Sequence, residues 1–169
     1  MKRLKILILP VLLLLLPISG WSKNLTDEII HNIYSAASAD YIRIHPEAKI
    51  PDSPPFIGEF AEAVLQERSG ITAGRILGLT DGAGIIIMLD DDLDLREAWG
   101  QGTLYHELIH YLQIADKGQT NSCEDALGRE KEAYTMEAQW FRKHGEEMLF
   151  FKTLKSLAWW LQNTTCAVS

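Results

Sequence analysis

The sequence His-Glu-Leu-Ile-His occupies residues 106–110, inside a segment whose apolar spacing predicts a helix over residues 103–114. Residues four apart lie on one face of a helix, so the imidazoles of His106 and His110 are expected to converge on one metal ion. Zinc binds neutral imidazole nitrogens at about 2.0–2.1 Å, and catalytic zinc keeps one position for water. Glu107 then stands where a general base would take a proton from that water. The alternative is a pair of surface histidines on an amphipathic helix.

A second predicted helix, over residues 124–143, offers candidates for a third protein ligand. Glu130 follows His110 by enough chain to leave the first helix, turn and return antiparallel. Glu132 is the rival candidate, because it lies about 200° further around the helix and only one of the two can face the metal. Glu124 and Glu137 remain as further alternatives.

The segment Glu-Lys-Glu-Ala-Tyr at residues 130–134 contains an E-x-x-A pattern. Together with the H-E-x-x-H sequence it resembles the gluzincin group of metallopeptidases, in which a second helix carries a glutamate ligand. The resemblance covers residues 106–134. The sequence of these residues is also similar to that of small exported zincin-like proteins whose activity is unassigned. It implies a zinc metallopeptidase with Glu107 as base and a metal held by His106, His110 and Glu130. Tyr134 departs from the pattern, because some of these families carry aspartate there.

Tyr134 lies four residues after Glu130, on the same predicted helix face. Its hydroxyl is expected either to orient a ligand or to donate to the oxyanion that forms when water attacks a carbonyl. The alternative is a core tyrosine whose hydroxyl bonds the backbone. Gln113, one turn beyond His110, is a weaker candidate for a contact with a ligand. The other histidines have no partner at ligand spacing and are interpreted as ordinary: His31, His45 and His144.

The remaining patterns predict an α+β domain with a small antiparallel sheet. Two strands, over residues 71–79 and 84–89, are expected to pair as an antiparallel hairpin. In the zincin resemblance, a strand such as residues 84–89 borders the cleft and holds extended peptide by main-chain pairing.

Apolar residues at helical spacing predict three further helices, over residues 27–41, 56–67 and 146–162. The last of them is apolar on several sides, so we expect it to pack in the core. Gly100 and Gly102 predict a break in the chain just before the helix that carries His106.

Residues 1–22 have the order of a secretory signal peptide, with a basic start, an apolar run and small residues before the cut. The apolar run is shorter than the roughly 20 residues of a spanning helix. We therefore expect cleavage after Ser22, with cleavage after Gly20 as the alternative. The mature chain is then a single zincin-like domain over residues 23–169, exported to the periplasm or the medium without stable membrane insertion. Cys123 and Cys166 are expected to form a disulfide there. The alternative makes Cys123 a zinc ligand.

The chain has 16 basic and 23 acidic residues, a net charge of −7, and its predicted leader contains basic residues but no acidic ones. So acidic a chain lacks the electrostatic footprint for nucleic acid or anionic lipid. The acidic turn at residues 90–94 is expected to be solvated, with calcium binding as the alternative.

The sequence thus predicts an exported zinc metallohydrolase that acts on a peptide or protein substrate. A zinc-stabilised binding or scaffold protein without turnover is the first alternative, and a zinc-buffering protein is the second. No oligomeric state follows from the sequence.

Overall fold

The computed structural model describes residues 27–69 and 75–163, which form five helices and a three-stranded sheet. In chain order the elements are α1 (Asp27–Ile44), β1 (Phe56–Phe60), α2 (Glu62–Ser69), β2 (Gly78–Thr80), β3 (Ile86–Asp90), α3 (Ala98–Lys117), α4 (Cys123–Lys143) and α5 (Glu147–Asn163). The α+β class is confirmed. The expected leader and Cys166 lie outside the described residues, so export and the disulfide stay predictions.

The sheet is mixed, with strand order β1-β3-β2. The expected antiparallel pairing is confirmed, because β2 pairs antiparallel with β3 from Gly78 opposite Leu89 to Thr80 opposite Ile87. Residues 71–74 of the predicted first strand lie outside the described residues. The prediction of an antiparallel sheet is wrong for its third strand, since β1 runs parallel to β3.

The helix predicted over residues 56–67 is wrong in its first half, where the chain forms β1. Phe56, Ile57 and Phe60 are residues that favour strands, and pairing with the buried strand β3 outweighs their helical spacing. The helix begins only at Glu62. This short helix lies in the connection that two parallel strands require.

Strand β3 is the central strand, so both of its edges are already paired. The expectation that residues 84–89 hold a substrate by strand addition is therefore wrong, because strand addition needs an unpaired edge. Among the described strands, β2 and β1 have the unpaired edges, and β2 lies beside α3.

Helix α3 begins at Ala98 and contains both Gly100 and Gly102, so the predicted break before His106 is wrong. These glycines instead allow close packing. A Cβ atom at Gly102 would lie 2.0 Å from Cζ of Phe141 on α4, and one at Gly100 would lie 2.2 Å from the carbonyl oxygen of Asp94. The helix thus approaches its neighbours at the turn that precedes the histidines.

The core lies between α1, α3, α4 and the sheet. Asp40 of α1 joins three helices, because it accepts a hydrogen bond of 3.1 Å from the Tyr105 hydroxyl and one of 2.7 Å from Nζ of Lys143. The buried faces of α1 and α3 supply most of the aliphatic and aromatic contacts, with Ala37, Tyr41, Leu104, Leu108, Ile109 and Leu112 fully buried.

Among the side chains of α5 that the structure describes, Leu157 is buried, but Met148 and Phe151 are 82% and 64% exposed. The prediction of core packing is therefore wrong for Met148 and Phe151, and the side chains of residues 159–162 lie outside the described ones. A search of the described helices for a segment long and apolar enough to cross a membrane finds no candidate.

Candidate metal centre

Three potential ligand atoms from α3 and α4 converge. Nε2 of His106 lies 3.1 Å from Nε2 of His110, and the Glu130 carboxylate lies 3.3 Å from Nε2 of His110 and 3.6 Å from Nε2 of His106. Ligands about 2.0–2.1 Å from a tetrahedral zinc ion are roughly 3.3 Å apart, because of the tetrahedral angle. The observed separations therefore fit a single ion bound between the three side chains.

Glu132, the rival to Glu130, points to a different part of the molecule. Its carboxylate lies 2.5 Å from Nε2 of His45 and 2.9 Å from Nε2 of Gln113. His45 was interpreted as ordinary, yet it contacts Glu132 at the end of α1. The structure thus brings Glu130 to the two histidines and holds Glu132 away from them.

The Nδ1 atoms of both site histidines have partners of their own. Nδ1 of His106 lies 3.1 Å from the buried Glu137 carboxylate, and Nδ1 of His110 lies 2.9 Å from Oε1 of Gln113. Histidines that bind a metal commonly donate their other N–H to such an acceptor, which fixes the tautomer. The contact expected of Gln113 is confirmed, whereas Glu137 had been considered only as a ligand. Its position two turns beyond Glu130, on the same face of α4, could have indicated its role.

The pKa shifts reflect several carboxylates around two imidazoles. Burial lowers the pKa of His106, but contacts with Glu130 and Glu137 outweigh burial and raise it well above 6.5. Burial raises the pKa of Glu130, but hydrogen bonds with His106 and His110 lower it overall. Burial also raises the pKa of Glu137, and here burial prevails over the contact with His106. A bound divalent cation would neutralise this excess of negative charge.

Glu107 lines the same cleft, one residue after the first histidine of the group. The hydroxyl of Thr80 on β2 lies 2.8 Å from Oε2 of Glu107 and 2.9 Å from its carbonyl oxygen. Gly78 contacts the same side chain so closely that a Cβ atom there would lie 2.7 Å from Cγ of Glu107. Strand β2 therefore orients the candidate base, although nothing in the sequence pattern singled out these two residues.

The cleft has a volume of about 740 Å³, and the three ligand candidates, Glu107 and β2 all contribute to its wall. Tyr134 is half-buried in the same wall, with its ring centroid 4.5 Å from that of His106 in an edge-on arrangement. Burial, followed by the nearby carboxylate of Glu130, raises the pKa of Tyr134. Its phenol thus stays protonated and able to donate a hydrogen bond at neutral pH.

The residues of β2 line the cleft, and their main-chain groups alternate in direction. The carbonyl of Leu77 accepts from the N–H of Asp90, and the N–H of Asp81 donates to the carbonyl of Ile86, so these residues of the β2 segment point toward β3. Because the direction alternates along an antiparallel pair, the main-chain groups of Gly78 and Thr80 point away from β3. Within the part of the chain that the structure describes, they form an unpaired edge of the sheet.

A second acidic group, at residues 90–92, lies apart from the histidines. The guanidinium of Arg75 contacts Asp90 at 2.8 Å and Asp92 at 3.0 Å, so an internal cation already neutralises part of the negative charge of this turn. His144 also lies elsewhere, with Nδ1 2.8 Å from the carbonyl oxygen of Trp140.

Comparisons with protein-family models, curated proteins and solved structures found no match for this chain. The residues in the cleft and their chemistry are therefore the indication of function.

Proposed function

We propose that this chain is a zinc-dependent hydrolase that cleaves peptide bonds. His106, His110 and Glu130 hold the metal, and Glu107 is the general base. The observation that carries the proposal is the convergence of three ligand atoms, from two helices, in the wall of a cleft that also contains the acidic side chain of Glu107.

The donor set supports zinc. Two imidazole nitrogens and one carboxylate form a combination typical of catalytic zinc sites, which leave a further position for water. Among the described residues, no other histidine, cysteine, aspartate or glutamate belongs to this group. Cys123 and His144, whose participation would favour a closed structural site, are not part of it. Three protein ligands among the described residues would leave a fourth position for water, which supports hydrolysis over the alternative of a zinc-stabilised scaffold without turnover.

A zinc ion bound there would supply a water molecule of lowered pKa and an electrophile for the scissile carbonyl. Glu107 would accept the proton of that water and later deliver it to the leaving amine. Thr80 would hold the Glu107 carboxylate in place through its hydroxyl. Tyr134, protonated at neutral pH, would donate a hydrogen bond to the oxyanion.

The unpaired edge of β2 supports an extended peptide as substrate. The outward main-chain groups of Gly78 and Thr80 can pair with a peptide strand, and the cleft beside them contains Glu107. The proposal includes a zincin-like fold and, from the sequence of residues 1–22, export to the periplasm or the medium.

The experiment is a digest of proteome-derived peptides by the purified chain lacking residues 1–22, with mass spectrometry of the products. We expect cleavage that a zinc chelator abolishes and added zinc restores. Glu107→Gln is the matched control, because it should keep about one zinc per chain while losing cleavage. Zinc binding without any cleavage by the wild-type protein would favour the scaffold alternative, and equal cleavage by Glu107→Gln would disprove the assignment of the base.

A further inference from the structure

A continuous chain of hydrogen bonds connects His110 with the end of α1. Oε1 of Gln113 lies 2.9 Å from Nδ1 of His110, and Nε2 of Gln113 lies 2.9 Å from Oε2 of Glu132. The other oxygen of Glu132 lies 2.5 Å from Nε2 of His45, directly after α1. This hydrogen-bond chain thus connects His110, a metal-ligand candidate on α3, through α4 to His45, which lies more than 60 positions earlier in the sequence.

The direction of each hydrogen bond follows from the chemistry of the groups. Nε2 of Gln113 also lies 3.1 Å from the carbonyl oxygen of Arg129, which can only accept. An ionised Glu132 likewise can only accept, so both amide protons of Gln113 are used and its oxygen must face His110. Nδ1 of His110 then has to carry a proton, and the lone pair of a neutral ring is on Nε2.

We propose that Gln113, Glu132 and His45 are positioning residues that hold His110 as the Nδ1–H tautomer, with Nε2 free to bind the metal. The inference rests on the proposed zinc site, but the hydrogen-bond chain itself exists without a metal.

Position 113 has a requirement that few side chains meet. The group there must accept from His110 and donate to Glu132, and the side chain is fully buried. A primary amide of this length does both, whereas a carboxylate can only accept. The partner of the other histidine differs, since His106 contacts the carboxylate of Glu137 directly.

His45 completes the chain by donating to Glu132. Its backbone N–H donates to the carbonyl of Tyr41 at 2.8 Å, and its ring lies 4.5 Å, between centroids, from the ring of Tyr41. Nζ of Lys117 approaches Glu132 at 3.6 Å and adds a positive charge on the same side. These contacts from α1 and α3 hold the Glu132 carboxylate where Gln113 needs an acceptor.

A double-mutant cycle tests the chain by zinc competition with a chelator at pH 8. Gln113→Glu places a carboxylate oxygen where Nε2 of Gln113 lies 2.9 Å from Glu132, so that two acceptors face each other. We expect zinc affinity to fall about 10–100-fold, as for other residues that support a metal ligand. Glu132→Gln alone should weaken zinc binding less than Gln113→Glu does, because an amide there can still accept from Gln113. The double variant Gln113→Glu/Glu132→Gln should recover part of the loss, because the new amide donates to the new carboxylate while the Arg129 carbonyl stays without its donor.

The matched control combines Gln113→Glu with Glu124→Gln, which removes the same charge from an exposed position on α4 and should give no recovery. Recovery in this control, or a double variant no tighter than Gln113→Glu, would overturn the proposal. So would a Gln113→Glu protein that binds zinc as tightly as wild type.

A second measurement does not depend on zinc. In the metal-free protein with ¹⁵N-labelled histidine, we expect a slowly exchanging proton on Nδ1 of His110 in wild type. A neutral His110 ring with its proton on Nε2 would overturn the inference. If wild type shows the Nδ1 proton but binds no zinc, the proposed function fails while the hydrogen-bond chain stands.

Discussion

Gly102 provides a test of how closely α3 and α4 must approach to form the candidate metal centre. Gly102→Ala adds one methyl group whose carbon would lie 2.0 Å from Cζ of Phe141 and 2.6 Å from its Cε1. Phe141 is fully buried and its ring is parallel to that of Trp99, 8° between planes, so it has little room to move. Gly128→Ala on the exposed side of α4 is the same chemical change with no atom within 4 Å.

The two substitutions should change the free energy of unfolding in opposite directions. Alanine is favoured over glycine inside a helix by about 1 kcal/mol, and both substitutions add this amount to the free energy of unfolding. Overpacking a filled core costs about 1–3 kcal/mol, and a 2.0 Å contact belongs at the upper end of that range. Gly102→Ala should therefore destabilise by about 2 kcal/mol and lower Tm by roughly 4–8 °C, whereas Gly128→Ala should raise Tm by roughly 2–4 °C.

Thermal and urea unfolding of the metal-free proteins measure both values. Phe141→Leu in the Gly102→Ala background should recover part of the loss, because the shorter side chain makes room for the methyl group. A Gly102→Ala protein as stable as Gly128→Ala would refute the close packing of α3 on α4 and, with it, the geometry that brings Glu130 to the histidines.

Three further predictions concern single side chains. Glu137→Gln should weaken zinc binding about 10–100-fold in a chelator competition, because Nδ1 of His106 loses its anionic acceptor. Thr80→Val should lower kcat/KM for a cleaved peptide about tenfold while zinc content stays unchanged, since Glu107 loses a hydrogen bond; Thr80→Ser should keep the activity. Burial raises the pKa of Asp40, but the ammonium and phenol that contact it lower it below 3.8 overall. The stability that ionised Asp40 contributes to the fold is therefore present above the unfolded pKa and lost as the pH falls through the folded pKa. In urea unfolding, Asp40→Asn should destabilise the protein at pH 7 but much less at pH 2.5.

The sequence was most informative where one helix carries a periodic pattern. The α-helical spacing of residues 106 and 110 sufficed to predict that the two imidazoles converge, because helix geometry is local. The choice of Glu130 over Glu132 came from the E-x-x-A resemblance, and the structure does bring Glu130 to both histidines.

The contacts missed by the sequence analysis are those between distant segments. Thr80 reaches Glu107 only because β2 lies beside α3, and His45 reaches Glu132 only because α1 ends there. The strand at Phe56–Phe60 was missed because its pairing with β3 is a tertiary interaction that overrides helical spacing. Gly102 was predicted to break the chain because the sequence alone does not distinguish a glycine that permits close helix packing from one that ends a helix.

X-ray absorption at the zinc edge tests the central claim most directly. The chain lacking residues 1–22 would be stripped of metal, given one equivalent of zinc, desalted and measured. We predict retained zinc with two imidazole ligands and only nitrogen or oxygen neighbours, at about 2.0–2.1 Å. Loss of the zinc on desalting, fewer than two imidazoles, or a sulfur neighbour at about 2.3 Å would contradict a site built from His106, His110 and Glu130.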